Sequence, residues 1–158
     1  MTSGYSEYAV TIDSPLGALT VVSDGSAITA VRWGAAAGAA HERPELDEAA
    51  AQLGAYFDGQ LASFDLPLRV SGSEFQRSVC VAMRAIPFGR TCRYGDLAAR
   101  LEVSPQAVGA ACGANPIPIV IPCHRVLGAH GLGGFSAPGG VETKVWLLRH
   151  EGAAGLLI

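Results

Sequence analysis

Asn115-Pro116-Ile117-Pro118-Ile119-Val120-Ile121-Pro122-Cys123-His124-Arg125 is the stretch that decides how the rest of the chain is read. Pro116 and Pro118 break any helix that arrives at Asn115 and stiffen the backbone beyond it. The Ile119–Ile121 run is short and apolar, so it is expected to be buried. Pro122 restricts the backbone immediately before Cys123. A rigid, apolar approach that delivers a cysteine beside a histidine suits an activated thiol, because the thiolate is the nucleophile and a neighbouring base or cation lowers its pKa. Adjacent residues point in different directions, so His124 is expected to reach Cys123 through a water molecule. A Cys-His pair taken alone also fits a buried structural cysteine.

Downstream, Gly131–Gly140 reads as a Gly-rich loop and Thr143–Glu151 as a closing helix with Trp146 and Leu147 turned inward. Glu151 stands where it can orient the His124 imidazole, as the third member of a triad does. Upstream, Ser104 followed by Pro105 is an N-cap with proline at the first helical position. It separates two short helices, about Tyr94–Leu101 and Pro105–Ala114, joined by Glu102–Ser104. That pair is a helix-turn-helix candidate or an ordinary helical corner. Before it, Ser73 is expected to cap a helix carrying Phe75, Val79, Met83 and Ile86 on one stripe, with Gln76 completing a capping box. Ser71-Gly72-Ser73 reads as a linker.

The segment before that linker looks different. Tyr8, Val10 and Ile12 alternate, Ser14-Pro15-Leu16-Gly17 is a turn, and Leu19–Val22 and Ile28–Trp33 continue an antiparallel sheet over residues 5–33. Gly34–Ala40 is a loop, Leu46–Phe57 has helical spacing, and Phe64–Val70 is expected as a further strand. The fold class is therefore α+β, with a small antiparallel-sheet lobe followed by a mostly helical lobe that carries the helix-turn-helix and the cysteine loop.

A chain of 158 residues is long enough for one core or two small lobes, and 49% hydrophobic with 16% charged residues marks it as globular. The net charge of -3 gives no global attraction to nucleic acid, so a DNA role must rest on a local basic patch. Cys80, Cys92, Cys112 and Cys123 form no CxxC pair, and His41, His124, His130 and His150 have no zinc-finger spacing, so no metal site is expected. A disulfide framework is not expected either, which suits a reducing cytosol. No basic segment precedes an apolar one at the start, and no run approaches the roughly 18 apolar residues of a membrane span. The expected setting is cytoplasmic, without a membrane.

Ile121-Pro122-Cys123-His124-Arg125-Val126 resembles the active-site signature of the O6-alkylguanine-DNA alkyltransferases, also called methylated-DNA–protein-cysteine methyltransferases. The resemblance extends to Asn115-Pro116, to Phe75-Gln76, to Ile86-Pro87-Phe88-Gly89 with Tyr94-Gly95, and to Lys144 with Leu147-Leu148 before Glu151. Asp13-Ser14-Pro15-Leu16-Gly17 resembles the family's N-terminal lobe. The likeness thus spans nearly the whole chain and is most specific from about 73 to 152.

This resemblance implies a ribonuclease-H-like N-terminal lobe over 1–70 and a DNA-binding alkyltransferase domain over 73–158. It implies irreversible transfer of an alkyl group from O6 of guanine in double-stranded DNA to Cys123, once per molecule and without a cofactor. It leaves O4 of thymine open as a second target. Cys123 is then the acceptor, His124 the base, Glu151 its orienting partner, and Tyr94 the proton donor toward N3 of the leaving guanine. Asn115 is the hinge that ties the helix-turn-helix to the cysteine loop, although by itself it would pass for a helix C-cap. The backbone carbonyls of Cys123 and Val126 accept the guanine amino group, and Phe135 and Ser136 cover the base. Base flipping and minor-groove entry of the second helix, through Gln106, Ala107 and Gly109, complete the implied picture. A single-turnover protein is expected to act as a monomer.

The sequence also departs from the family. Pro105–Ala114 contains no basic residue, and Gln106 stands where the intercalating arginine usually stands. Glutamine lacks the charge and the cationic plane of arginine. Phosphate contacts are then left to Arg90, Arg93, Arg100 or Arg125, each of which could equally be a solvated surface residue, or to backbone amides at the helix start. The loop around Phe135 is shorter before the aromatic and longer after it, with phenylalanine where tyrosine is frequent. Cys80 replaces a common tryptophan. These departures leave a second reading open, a divergent alkyl acceptor acting on free alkylated bases or small electrophiles. A non-catalytic lesion-binding module fits less well, because the Cys123-His124 pair and Glu151 are intact. A thiol protease fits poorly, because no oxyanion-hole arrangement is visible.

Overall fold

Tyr8–Ile12, rich in β-branched residues, forms strand β1, which pairs antiparallel with β2 (Leu19–Ser23), and β2 pairs antiparallel with β3 (Ile28–Trp33) in the computed structural model of the chain. The described residues are 7–38 and 40–153. Residues 5 and 6, expected in the first strand, and residue 39, expected in the loop, lie outside them. β2 is the central strand and every residue of it is buried. The turn after β1 is closed by Gly17 N–H donating to the Ser14 carbonyl, with Gly17 at φ 98°, where a Cβ would be strained. Helix α1 (Pro44–Phe57) covers the sheet with Leu46, Ala49, Leu53 and Tyr56. It begins two residues earlier than its apolar spacing indicates, because Pro44 is preorganised for the first helical position. Ser23 Oγ donates to Glu45 Oε2 at 2.6 Å, fixing the helix start to the end of β2.

The strand expected at Phe64–Val70 reduces to one bridge, Leu68 against Ile28, flanked by Ile28 N–H to the Pro67 carbonyl and Arg69 N–H to the Ile28 carbonyl. Pro67 has no N–H with which to extend a ladder. The chain divides into two compact units, residues 1–71 and 72–158.

In the second unit, Ser73 caps helix α2 (Glu74–Arg84) by accepting from Gln76 N–H. The reciprocal half of the expected capping box is not made. Gln76 instead donates its side-chain amide to the Ala111 carbonyl at 2.8 Å, joining α2 to the helix that holds Ala111. Strand β4 (Cys92–Arg93) leads directly into α3 (Tyr94–Leu101), and α4 (Pro105–Gly113) follows. Glu102 turns the corner with φ 58°, and Ser104 Oγ accepts from Ala107 N–H. α3 and α4 pack on each other as the helix-turn-helix reading requires. Cys123–Arg125 forms a 3-10 turn that runs into β5 (Val126–Leu127), and β5 lies parallel to β4 with Cys92 opposite Val126. Two-residue strands carry no periodicity, so this pairing leaves no trace in the sequence. The closing helix α5 runs Val141–His150. Its Leu147 and Leu148 are buried, but Trp146 is only half-buried and stacks on His150 with ring centroids 5.0 Å apart, which corrects its expected inward position. Among the described residues no helix is long and apolar enough to cross a membrane.

Ser104→Ala removes the α4 cap and is expected to lower stability by about 1 kcal/mol, whereas Ser104→Asp retains it. Urea midpoints measure this, and an unchanged Ser104→Ala midpoint contradicts the capping role.

Candidate active site

The segment before Cys123 is fixed by its own backbone. Ile119 has φ 73°, an uncommon conformation for a β-branched residue that costs on the order of 1–3 kcal/mol. It is held there by Ile121 N–H to the Ile117 carbonyl and Val120 N–H to the Pro118 carbonyl, both at 2.9 Å. Burial of the Ile117, Ile119 and Ile121 side chains, roughly 1.5–3 kcal/mol each, offsets the strain. Asn115 spans this bend. Its Oδ1 accepts from Ile117 N–H at 3.0 Å and its Nδ2 donates to the Ile121 carbonyl at 2.8 Å. One side chain thereby joins the end of α4 to the approach to the cysteine.

Cys123 opens the 3-10 turn and is 8% exposed. Burial pushes its thiol above the ordinary range. A hydrogen bond from Asn115 and the charge of Lys144 pull the other way. His124 is fully buried and its Nε2 lies 2.7 Å from Glu151 Oε2. A carboxylate only accepts, so Nε2 carries the proton and Nδ1 keeps its lone pair. Nδ1 has no hydrogen-bond partner among the described residues. Burial holds the imidazole below its usual pKa against the pull of Glu151, so the ring rests neutral, in the form a base requires.

Arg125 lies away from solvent. Its Nε donates to Glu151 Oε1 at 2.7 Å, Nη2 to Oε2 at 3.0 Å and Nη1 to the Ile86 carbonyl at 2.7 Å. This corrects the expectation that Arg125 is free for phosphate, since its guanidinium is committed to Glu151 and the end of α2. Arg90, Arg93 and Arg100 are exposed.

Tyr94 begins α3 and is half-buried. Burial raises its pKa, followed by the neighbouring Cys112 and Cys123 charges, which keeps the hydroxyl protonated and able to donate. Lys144 stands out in the sequence only as part of a motif, yet its side chain is central here. It is 0% exposed, and Nζ donates to the carbonyls of Val126 (2.7 Å), Leu132 (2.6 Å) and Gly134 (3.2 Å). Burial lowers its pKa to about 8, opposed by Cys123 and Cys112. The signal that could have found it is its position three and four residues before Leu147 and Leu148, which sets it on the buried face of α5.

The remaining expected residues fall in two groups. Gln106 is exposed on the first turn of α4, with Ala107 and Gly109 partly covered behind it. Phe135 is half-buried and Ser136 exposed on the Gly-rich loop, where Ser136 Oγ would be 3.5 Å from a Cβ at Gly113, the last residue of α4. The Cys123 carbonyl accepts from Val126 N–H and the Val126 carbonyl from Lys144, so each retains one acceptor position for a further donor. The arrangement can therefore generate a buried thiolate, stabilise it by a cation and an amide, and offer a proton from Tyr94.

A family model described as 6-O-methylguanine DNA methyltransferase, DNA binding domain, matches residues 74–153, and one described as 6-O-methylguanine DNA methyltransferase, ribonuclease-like domain, matches residues 8–70. The chain is 42% identical over 150 residues to the methylated-DNA–protein-cysteine methyltransferase of Mycolicibacterium paratuberculosis, covering 89% of this chain and 90% of that protein. It is 54% identical over 105 residues to that of Salmonella typhimurium, covering 64% of this chain and 60% of the relative. Among solved structures it resembles Mycobacterium tuberculosis OGT in complex with DNA, with a TM-score of 0.82, 39% identity, and 92% and 93% of the two chains covered. The chain belongs to the 6-O-methylguanine DNA methyltransferase family.

Proposed function

We propose that this protein performs direct-reversal repair, transferring an alkyl group from O6 of guanine in DNA to Cys123. The observation that carries the reading is the run of groups behind the sulfur, in which His124 presents a buried Nδ1 with a free lone pair because Glu151 accepts from Nε2. The Cys123 proton passes through water to His124 Nδ1. The thiolate attacks the alkyl carbon in line, the carbon–O6 bond breaks, and Tyr94 supplies a proton to the leaving guanine at N3. The new carbon–sulfur bond is a thioether that no group in the site reverses, so each molecule acts once. The same displacement extends to O4 of thymine.

On this reading residues 73–158 are the catalytic and DNA-binding domain and 1–70 the ribonuclease-H-like lobe. α4 enters the minor groove with Gln106, Ala107 and Gly109, and the damaged base leaves the stack to reach the buried thiol. Phe135 and Ser136 cover it, while the Cys123 and Val126 carbonyls receive its amino group. Arg90, Arg93 and Arg100 supply the phosphate contacts that Arg125 does not. The protein works as a monomer in the cytoplasm and needs no cofactor.

The absence of any cation on α4 favours a second reading, transfer from free alkylated bases with weak DNA binding. Equal rates on free O6-alkylguanine and duplex, without salt dependence, support this alternative. A faster, salt-sensitive reaction on duplex supports repair.

Incubation with an O6-methylguanine duplex is expected to add one methyl group per molecule by intact-mass spectrometry, and none to Cys123→Ala, which still binds the duplex. A methyl adduct on Cys123→Ala would falsify the assignment. The transfer rate should climb with pH as the raised Cys123 thiol ionises, then slacken above about 8, where Lys144 loses its charge. Single-turnover rates across pH measure this, and a flat profile contradicts it. Gln106→Arg should tighten duplex binding and steepen the dependence of log affinity on log salt by about 0.9, the increment for one phosphate. Anisotropy titrations at several salt concentrations read the slope, and an unchanged value places position 106 away from DNA.

A further inference from the structure

The loop between β5 and α5 passes beside Tyr94, and both of its legs are fastened by neighbouring residues of one helix. On the rising leg, Lys144 holds the Leu132 and Gly134 carbonyls. Gly133 passes so close to Tyr94 that a Cβ there would be 3.2 Å from the ring and 3.3 Å from the hydroxyl. On the returning leg, the Thr143 hydroxyl donates to the Pro138 carbonyl. Thr143 is itself buried. Gly139, at φ 81°, passes beneath the same hydroxyl, where a Cβ would be 2.8 Å from Thr143 Oγ1. Gly140 N–H donates to the Ala137 carbonyl, and the Gly140 carbonyl accepts from Thr143 and Lys144 N–H, so the return merges with the start of α5. Between the fastened points stand only Phe135, Ser136 and Ala137.

We propose that Thr143 is a specificity-determining residue, whose hydroxyl fixes the returning leg of the 131–140 loop and so limits the size of the alkyl group that can reach Cys123. This inference rests on the alkyl-transfer reading of the site. The covering residues are short of slack: with Gly134 and Pro138 both tethered to α5, the apex cannot lift to admit a bulky group without releasing one tether. Lys144 also grips Val126, next to the thiol turn, so releasing it would disturb the site itself. The Thr143 hydroxyl holds the loop at Pro138 and, unlike Lys144, makes no hydrogen bond at Val126, which makes it the tether whose loss widens the opening while leaving the thiol, His124 and Glu151 in place. Pro138 is exposed, so water can satisfy its carbonyl once the threonine hydroxyl is gone. Its position, rather than its hydrogen bonding, is then what changes.

The experiment compares single-turnover rates on two duplexes of one sequence, carrying O6-methylguanine or O6-benzylguanine, so that DNA affinity cancels in the benzyl-to-methyl ratio. Thr143→Val is expected to raise this ratio about fivefold, the factor carried by one net hydrogen bond. Thr143→Ser keeps the hydroxyl and is expected to retain the wild-type ratio. Gly139→Ala, which displaces the same hydroxyl from the other side, is expected to shift the ratio in the direction of Thr143→Val. An unchanged ratio in both Thr143→Val and Gly139→Ala overturns the proposal, as does a Thr143→Ser protein that behaves like Thr143→Val. Methyl transfer by the wild type with an unmoved ratio in the variants refutes this inference alone. A wild type that transfers neither group refutes the functional reading and this inference with it.

Discussion

A single buried carboxylate, Glu151, organises the second compact unit of this protein. It accepts from His124 Nε2 and from two nitrogens of Arg125, and Arg125 reaches on to the Ile86 carbonyl. The carboxylate ties the residue after α5 to the turn that begins with Cys123, and Arg125 carries the link on to the residue following the α2 C-cap. Burying a carboxylate costs several kcal/mol unless it is paired and hydrogen-bonded, and here both oxygens are occupied. The pairing also decides chemistry. Because Glu151 accepts a hydrogen bond from Nε2–H, His124 has one tautomer, with its lone pair on Nδ1. Arg125 neutralises the carboxylate, so the pair is buried without a net charge.

The sulfur is subject to opposing effects. Burial raises the Cys123 pKa, which favours the neutral thiol over the thiolate. Asn115 and Lys144 favour the thiolate, so ionisation remains within reach of a neutral base. Both residues also have a structural task. Asn115 holds the bend through Ile119, and Lys144 joins the Val126 carbonyl to the covering loop. Activation and positioning are thus performed by the same side chains, and the strained backbone at Ile119 is the cost of aiming the cysteine. Tyr94 faces the same region from the start of α3, and its own burial keeps it a donor rather than an anion.

The nucleic-acid side is built differently. α4 has a side-chain cap at Ser104, small residues along its length and no charge. Small residues allow a backbone to approach a groove floor closely, but they contribute nothing to phosphate neutralisation. With Arg125 consumed by Glu151, the exposed arginines are Arg90 and Arg93, just before α3, and Arg100 in its last turn.

The sequence by itself determined the covalent and local features. Alternation marked the three-strand sheet, Ser73, Ser104 and Pro105 marked helix starts, and the Asn115–Arg125 run singled out Cys123 as the candidate nucleophile with His124 beside it, because these signals lie in residues close along the chain. It also determined that α4 is uncharged. It did not reveal the β4–β5 pairing, whose two-residue strands lie far apart along the chain, or that Gln76 would leave its own cap for Ala111. Only the tertiary structure decided the fate of the charged residues. Arg125 reads from the sequence equally as a phosphate contact or a solvated cation, and nothing near Lys144 in the chain shows what its ammonium would bond; whether a long cationic side chain turns outward or inward depends on acceptors that arrive from elsewhere in the fold. Glu151 and the Ile86 carbonyl draw Arg125 in, and the carbonyls of Val126, Leu132 and Gly134 draw in Lys144. A buried charge persists only where such partners converge, and convergence is a property of the packed chain rather than of any stretch of it.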